Sequence, residues 1–90
     1  MNTDRRKQIK SLIARLEASK SELEDIRSDI QNLEDEEQEY FDNMPESLQG
    51  GDKGQRAEEV ISLLQDAGSD ADSLVESIDE VTEKLDEAAE

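Results

Sequence analysis

The sequence has no histidine, no cysteine and no tryptophan, a single proline, and only two aromatic residues, Tyr40 and Phe41. Each absence closes a route. Without cysteine there is no disulfide framework, and without cysteine or histidine, zinc and other borderline or soft metals lack their preferred ligands. Without histidine no serine has the usual base to activate it, and no glycine elbow surrounds any of the serines. No apolar run approaches the roughly 18 residues of a membrane span, and the N-terminus lacks a signal-peptide core. These absences predict a non-enzymatic, cytoplasmic protein without cofactor. Positive charge is also scarce: ten Lys and Arg stand against 26 Asp and Glu, a net charge of −16. Such a balance repels nucleic acid and anionic membrane and favours a basic protein as partner.

What the sequence does contain is heptad rhythm. Ninety residues make one domain at most, predicted as residues 1–90. Ile9, Leu12, Leu16, Leu23, Ile26, Ile30, Leu33 and Tyr40 follow alternating steps of three and four, with Ser19 and Glu37 as polar interruptions. Ala57, Val60, Leu64, Ala67, Ala71, Leu74, Ile78, Val81, Leu85 and Ala88 repeat that spacing without a gap. Such stripes keep one face of a helix turned toward a partner. Disordered acidic chains share this composition but not this register. Between the stripes lies Asn43-Met44-Pro45-Glu46-Ser47-Leu48-Gln49-Gly50-Gly51-Asp52, rich in helix breakers. The fold class predicted is all-α, an antiparallel two-helix coiled-coil hairpin. Its helices span about 3–43 and about 53–89, with a turn at about 44–52.

Asn2 or Thr3 is expected to cap the first helix, and Asp52 with Gln55 to form a capping box on the second. The second helix is weakest at Asp66–Ser73, where helix propensity is poor and a kink is the expected failure. Folding back near residue 48 pairs positions whose numbers sum to about 97. Leu12 then meets Leu85, Leu16 meets Val81, and Ile30 and Ile26 face Ala67 and Ala71 respectively, with Gly68 alongside. Charge favours the same register. Residues 1–20 carry +4, residues 21–48 carry −10, and residues 49–90 carry −10. An antiparallel hairpin sets the basic start of the chain beside its acidic end. Ile13, Phe41, Ile61, Leu63 and Val75 lie off these stripes and are candidates for a second apolar face. Through such a face a homodimer, two hairpins forming a four-helix bundle, gains the core that one hairpin lacks.

The run Glu34-Asp35-Glu36-Glu37-Gln38-Glu39 points around a helix, so it reads as a solvated acidic face rather than a metal site. Asp66, Gly68, Asp70 and Asp72 alternate like a calcium loop, but Ala71 and Ser77 stand where glycine and the bidentate acid belong. The segment Tyr40–Gln49 gathers both aromatics, Met44 and the proline, an apolar anchor in an acidic surround. Candidate protein-binding residues are therefore Glu34, Asp35, Glu36 and Glu39 on the acidic face, and Tyr40, Phe41, Met44 and Leu48 at the turn.

The stretch Glu36-Glu37-Gln38-Glu39-Tyr40-Phe41-Asp42-Asn43-Met44-Pro45-Glu46-Ser47-Leu48-Gln49-Gly50, followed by Lys53-Gly54 and Ala57-Glu58, resembles small acidic coiled-coil proteins of phage and prophage genomes. The resemblance covers residues 36–58 and implies an origin more than a mechanism. Together with charge and shape, it leads to the expectation of a phage-encoded protein that engages or inhibits a host nucleic-acid-handling or defence protein, by mimicry of nucleic acid. The alternative is a structural protein acting through self-association.

Overall fold

In the computed structural model, which describes residues 2–90, three helices follow in order: α1 (Thr3–Asp42), α2 (Glu46–Gln49) and α3 (Asp52–Ala89). α1 and α3 pack side by side along their length as an antiparallel hairpin, a rod of 69 × 15 × 13 Å. Asn2 caps α1, its Oδ1 accepting the Arg5 N–H at 2.8 Å. α1 ends where Pro45 restricts the residue before it, and Asn43 and Met44 turn the chain. The turn itself holds α2. The Pro45 carbonyl accepts from the N–H groups of Leu48 and Gln49, and the Gln49 side-chain amide donates to the carbonyls of Phe41 and Met44, both at 3.2 Å. The Phe41 carbonyl lies in the last turn of α1 and that of Met44 just beyond it, where the helix no longer supplies a full set of donors.

The expected capping box at α3 does not form. Gly51 is the capping residue and offers no side chain, Asp52 is already helical, and the Gln55 amide donates instead to the Gly50 carbonyl at 3.0 Å. α3 runs unbroken through Asp66–Ser73. Gly68 and Ala71 are buried there, so close packing against α1 offsets their weak propensity.

The seam between the helices differs from the expected one. Each helix has a central column, Ile9, Leu16, Leu23, Ile30 and Glu37 in α1 and Ala57, Leu64, Ala71, Ile78 and Leu85 in α3, and every member is buried or half-buried. The second column of the seam lies four residues after each of these, not three. It contains Ile13, Lys20, Arg27, Glu34 and Phe41 in α1, and Ile61, Gly68, Val75, Thr82 and Ala89 in α3. Ile13, Phe41, Ile61 and Val75, expected on a second face, are therefore in the seam; of that group Leu63 alone is exposed. Leu12, Ile26, Leu33, Tyr40, Leu74 and Val81, expected in the seam, are exposed.

Two features explain the choice. Lys20 donates to Asp79 at 2.8 Å and Arg27 to Asp72 at 3.1 Å, both across the hairpin from the second column of α1. Their long aliphatic stems can cover apolar surface while the charged ends reach the opposite helix. Gly68 makes room for this: a Cβ there would lie 2.8 Å from the Arg27 guanidinium. The lengthwise register agrees with the expected sum of about 97. Leu12, Leu16, Val81 and Leu85 line one groove, and Arg6 donates to the Glu90 carbonyl. Among the described residues the buried apolar core consists of Ala57, Ile61 and Ala71, all from α3, and no residue of α1 is fully buried.

Candidate protein-binding surface

Three surfaces follow from this placement. The first is acidic. Residues 21–76, the half of the rod nearest the turn, carry eighteen acids against Arg27, Lys53 and Arg56, a net −15; the half nearest the termini carries −1. Among the described residues only Asp72, Asp79 and Glu59 are in ion pairs, the last with Arg56 at 3.2 Å. Apart from Glu34 and Glu37, which are half-buried in the seam, the remaining carboxylates are exposed.

The candidate residues do not all share this surface. Asp35, Glu36 and Glu39 are exposed, but Glu34 is half-buried in the second column of the seam. Asp35 is also tied down: its carboxylate accepts from Gln31 at 3.0 Å, and Gln31 accepts from Arg27, which binds Asp72. A chain of hydrogen bonds thus runs from α3 over the surface of α1. No group of three or more acids among the described residues is gathered closely enough to hold a metal ion.

The second surface is the tip. Tyr40, Met44 and Leu48 line an open cleft of about 360 Å³ with Gly51, Asp52 and Lys53. Tyr40 and Leu48 are half or more exposed there, and Met44 is half-buried. Phe41 is absent from the cleft, because one residue further along the helix carries it round into the seam. The tip therefore presents one aromatic ring, not two.

The third surface is the column that sequence reasoning placed inside. Leu12, Ser19, Ile26, Leu33 and Tyr40 form one line along α1, and Val60, Ala67, Leu74, Val81 and Ala88 form another along α3; all but Val60 are exposed. Leu12, Ser19 and Val81 line a common groove of about 440 Å³ with Arg15, Leu16 and Leu85, so the two lines flank the same side of the hairpin. On the opposite side a groove is lined by Glu24, Arg27, Ser28, Asp72, Val75 and Glu76, which is largely polar. The signal for this arrangement was present in Lys20 and Arg27, whose position four residues after Leu16 and Leu23 aims them at the acids of the second helix.

Lys20 is the one titrating group among the described residues that its surroundings clearly shift. Its hydrogen bond to Asp79 holds its pKa above the usual lysine range; partial burial opposes this, and the charges of Asp79, Glu17 and Glu24 support it. No helix among the described residues is long and apolar enough to cross a membrane. No family model, curated protein or solved structure matches the chain.

Proposed function

We propose that this chain is a non-enzymatic binding protein, of phage or prophage origin, whose acidic rod engages a basic groove of a host protein that handles nucleic acid. The observation that carries this reading is charge density. Fifteen net negative charges on half of a 69 Å rod give about one per 2.3 Å, against one per about 1.7 Å of axis in duplex DNA. Of the eighteen acids in that half only Asp72 and Glu59 are in ion pairs among the described residues, and nearly all sit on helices, so their spacing is held by the backbone. A surface of this kind competes for sites built to bind phosphates, and its affinity falls with salt as those sites' affinity for DNA does.

The test is capture from host lysate across a salt series, with duplex DNA as competitor. Captured proteins should be basic, should elute as salt rises, and should be displaced by DNA. Changing Asp35, Glu36 and Glu39 to Asn or Gln should weaken capture without loss of helix, since all three are exposed. Glu34 belongs outside that set because it contributes to the seam. Capture indifferent to salt, to DNA and to the triple variant would exclude mimicry.

A second reading, a protein that works through self-association, is favoured by a separate observation. A mainly apolar line, interrupted at Ser19, is exposed along one side of the hairpin.

A further inference from the structure

The column left outside is more apolar than the one taken into the seam. In α1 the outer column reads Leu12, Ser19, Ile26, Leu33, Tyr40, whereas the seam column reads Ile13, Lys20, Arg27, Glu34, Phe41. The cross-helix ion pairs of Lys20 and Arg27 orient the seam, but in a monomer they leave the more apolar column hydrated. A helix with three such columns is instead suited to a bundle, where each helix packs against two neighbours. We propose that the outer column is the interface of an antiparallel homodimer, in which two hairpins stack face to face with each turn over the other's open end. This inference concerns a surface that the acidic reading leaves unused, and it stands or falls separately.

Size, position and charge each point to a second copy in this orientation. A face 69 Å long and 15 Å wide offers about 1,000 Å² per copy, above the roughly 800 Å² per partner of a standard interface. A two-fold axis across the middle of the rod lays α1 on α1 and α3 on α3, each antiparallel. Placed near residues 22 and 23 of α1, that axis sets Leu12 opposite Leu33 of the second copy and Ser19 opposite Ile26. The hairpin's own register then places it about half a residue past Leu74 of α3, so that Leu74 comes close to its own counterpart and Val81 close to Ala67. Both helices thus accept the same axis, with large residues facing small ones in two of these pairs. The axis was fixed by α1 and the register, so the match in α3 is independent. Tyr40 falls opposite Arg5, a cation over an aromatic face.

Charge selects between the two ways of stacking. With the two-fold along the rod, turn lies on turn and the two −15 halves coincide. With the two-fold across it, each −15 half lies over a half carrying −1. Arg15, at the rim of the groove, then comes beside Asp29 of the second copy rather than near another base. Repulsion between the acidic halves is lowered by distance, because their centres separate by more than the Debye length of about 8 Å at physiological salt.

The experiment uses the full chain. Equilibrium sedimentation should give about twice the chain mass of 10.1 kDa, and the dimer should persist in high salt, where capture through the acidic surface is lost. The double variant Leu33→Gln, Leu74→Gln should shift the dissociation constant at least a hundredfold while circular dichroism still shows a folded helix, because both residues are 53% exposed in the single hairpin. Ser19→Glu provides a second probe that removes no apolar contact and should weaken the dimer in the same direction. The chain lacks cysteine, so Ser47→Cys can carry a single spin label at the turn. Labels on the two copies should lie on the order of 60 Å apart, whereas turn-on-turn stacking would bring them within about 20 Å given interaxial distances of 8–10 Å. A monomer at all concentrations, a dimer unmoved by these variants, or turn labels close together would each overturn the proposal.

Discussion

Two glycines in α3 are buried for different reasons, and the difference makes opposite predictions. A Cβ on Gly54 would overlap the backbone carbonyl of Gln49, which is fixed because Gln49 ties the turn to the end of α1. Gly54→Ala should therefore destabilise the hairpin by about 1–3 kcal/mol as an overpacking change, even though alanine is the better helix former. The three atoms nearest a Cβ on Gly68 all belong to the guanidinium of Arg27, the far end of a flexible chain. That group can shift, so Gly68→Ala should gain most of the roughly 1 kcal/mol of helix propensity, reduced by whatever the Arg27–Asp72 contact loses. Thermal melts of the two variants should move in opposite directions.

The two long helices owe their pairing to columns, and substitutions in adjacent columns separate the seam from its neighbour. Ala71 is 6% exposed at the centre of the seam, and Ala67 is exposed one column away. Ala71→Leu should destabilise the hairpin by about 1–3 kcal/mol. Ala67→Leu should leave the hairpin itself nearly unchanged; in the dimer proposed above its added bulk would fall against Val81 of the second copy. Urea denaturation at low protein concentration isolates the first effect, and a seam running through both alanines would make the two variants alike. The ion pairs across the seam have their own signature. Because folding raises the pKa of Lys20, its contribution is fully present below the unfolded lysine pKa and is lost as pH rises through the folded value. The melting-temperature gap between the wild type and Lys20→Gln should thus be constant through neutral pH and should close in strongly alkaline solution. The pair lies at the edge of the seam with the Asp79 side chain 52% exposed, so the gap is expected to be small.

Across the rod as a whole, repulsion outweighs attraction. Three ion pairs are present among the described residues, against a net charge of −16. Screening should therefore stabilise the protein. Raising NaCl from about 10 mM to about 150 mM, which shortens the Debye length from about 30 Å to about 8 Å, should raise the melting temperature at fixed protein concentration. A fall would mean that the cross-helix pairs outweigh the net field. The same salt change should act oppositely on the two surfaces: it should release a basic partner held by carboxylates and tighten an apolar contact between acidic copies.

Heptad spacing, a proline after the first stripe and a charge gradient along the chain were enough to determine two antiparallel helices in a register summing to about 97. Each of these signals is local or depends only on gross complementarity, so it is readable before folding. The columns that meet were not readable in that way. Steps of three and of four from the same central residues both yield mainly apolar lines in α3, and in α1 the more apolar of the two is the one that stays outside. The decision came from contacts that exist only once the helices are side by side: Lys20 with Asp79, Arg27 with Asp72, and the space above Gly68 that admits the Arg27 side chain. Rotating each helix by one column moves every one of these groups together. The tip changed for the same reason, since the rotation that leaves Tyr40 in the open cleft carries Phe41 and Glu34 into the seam.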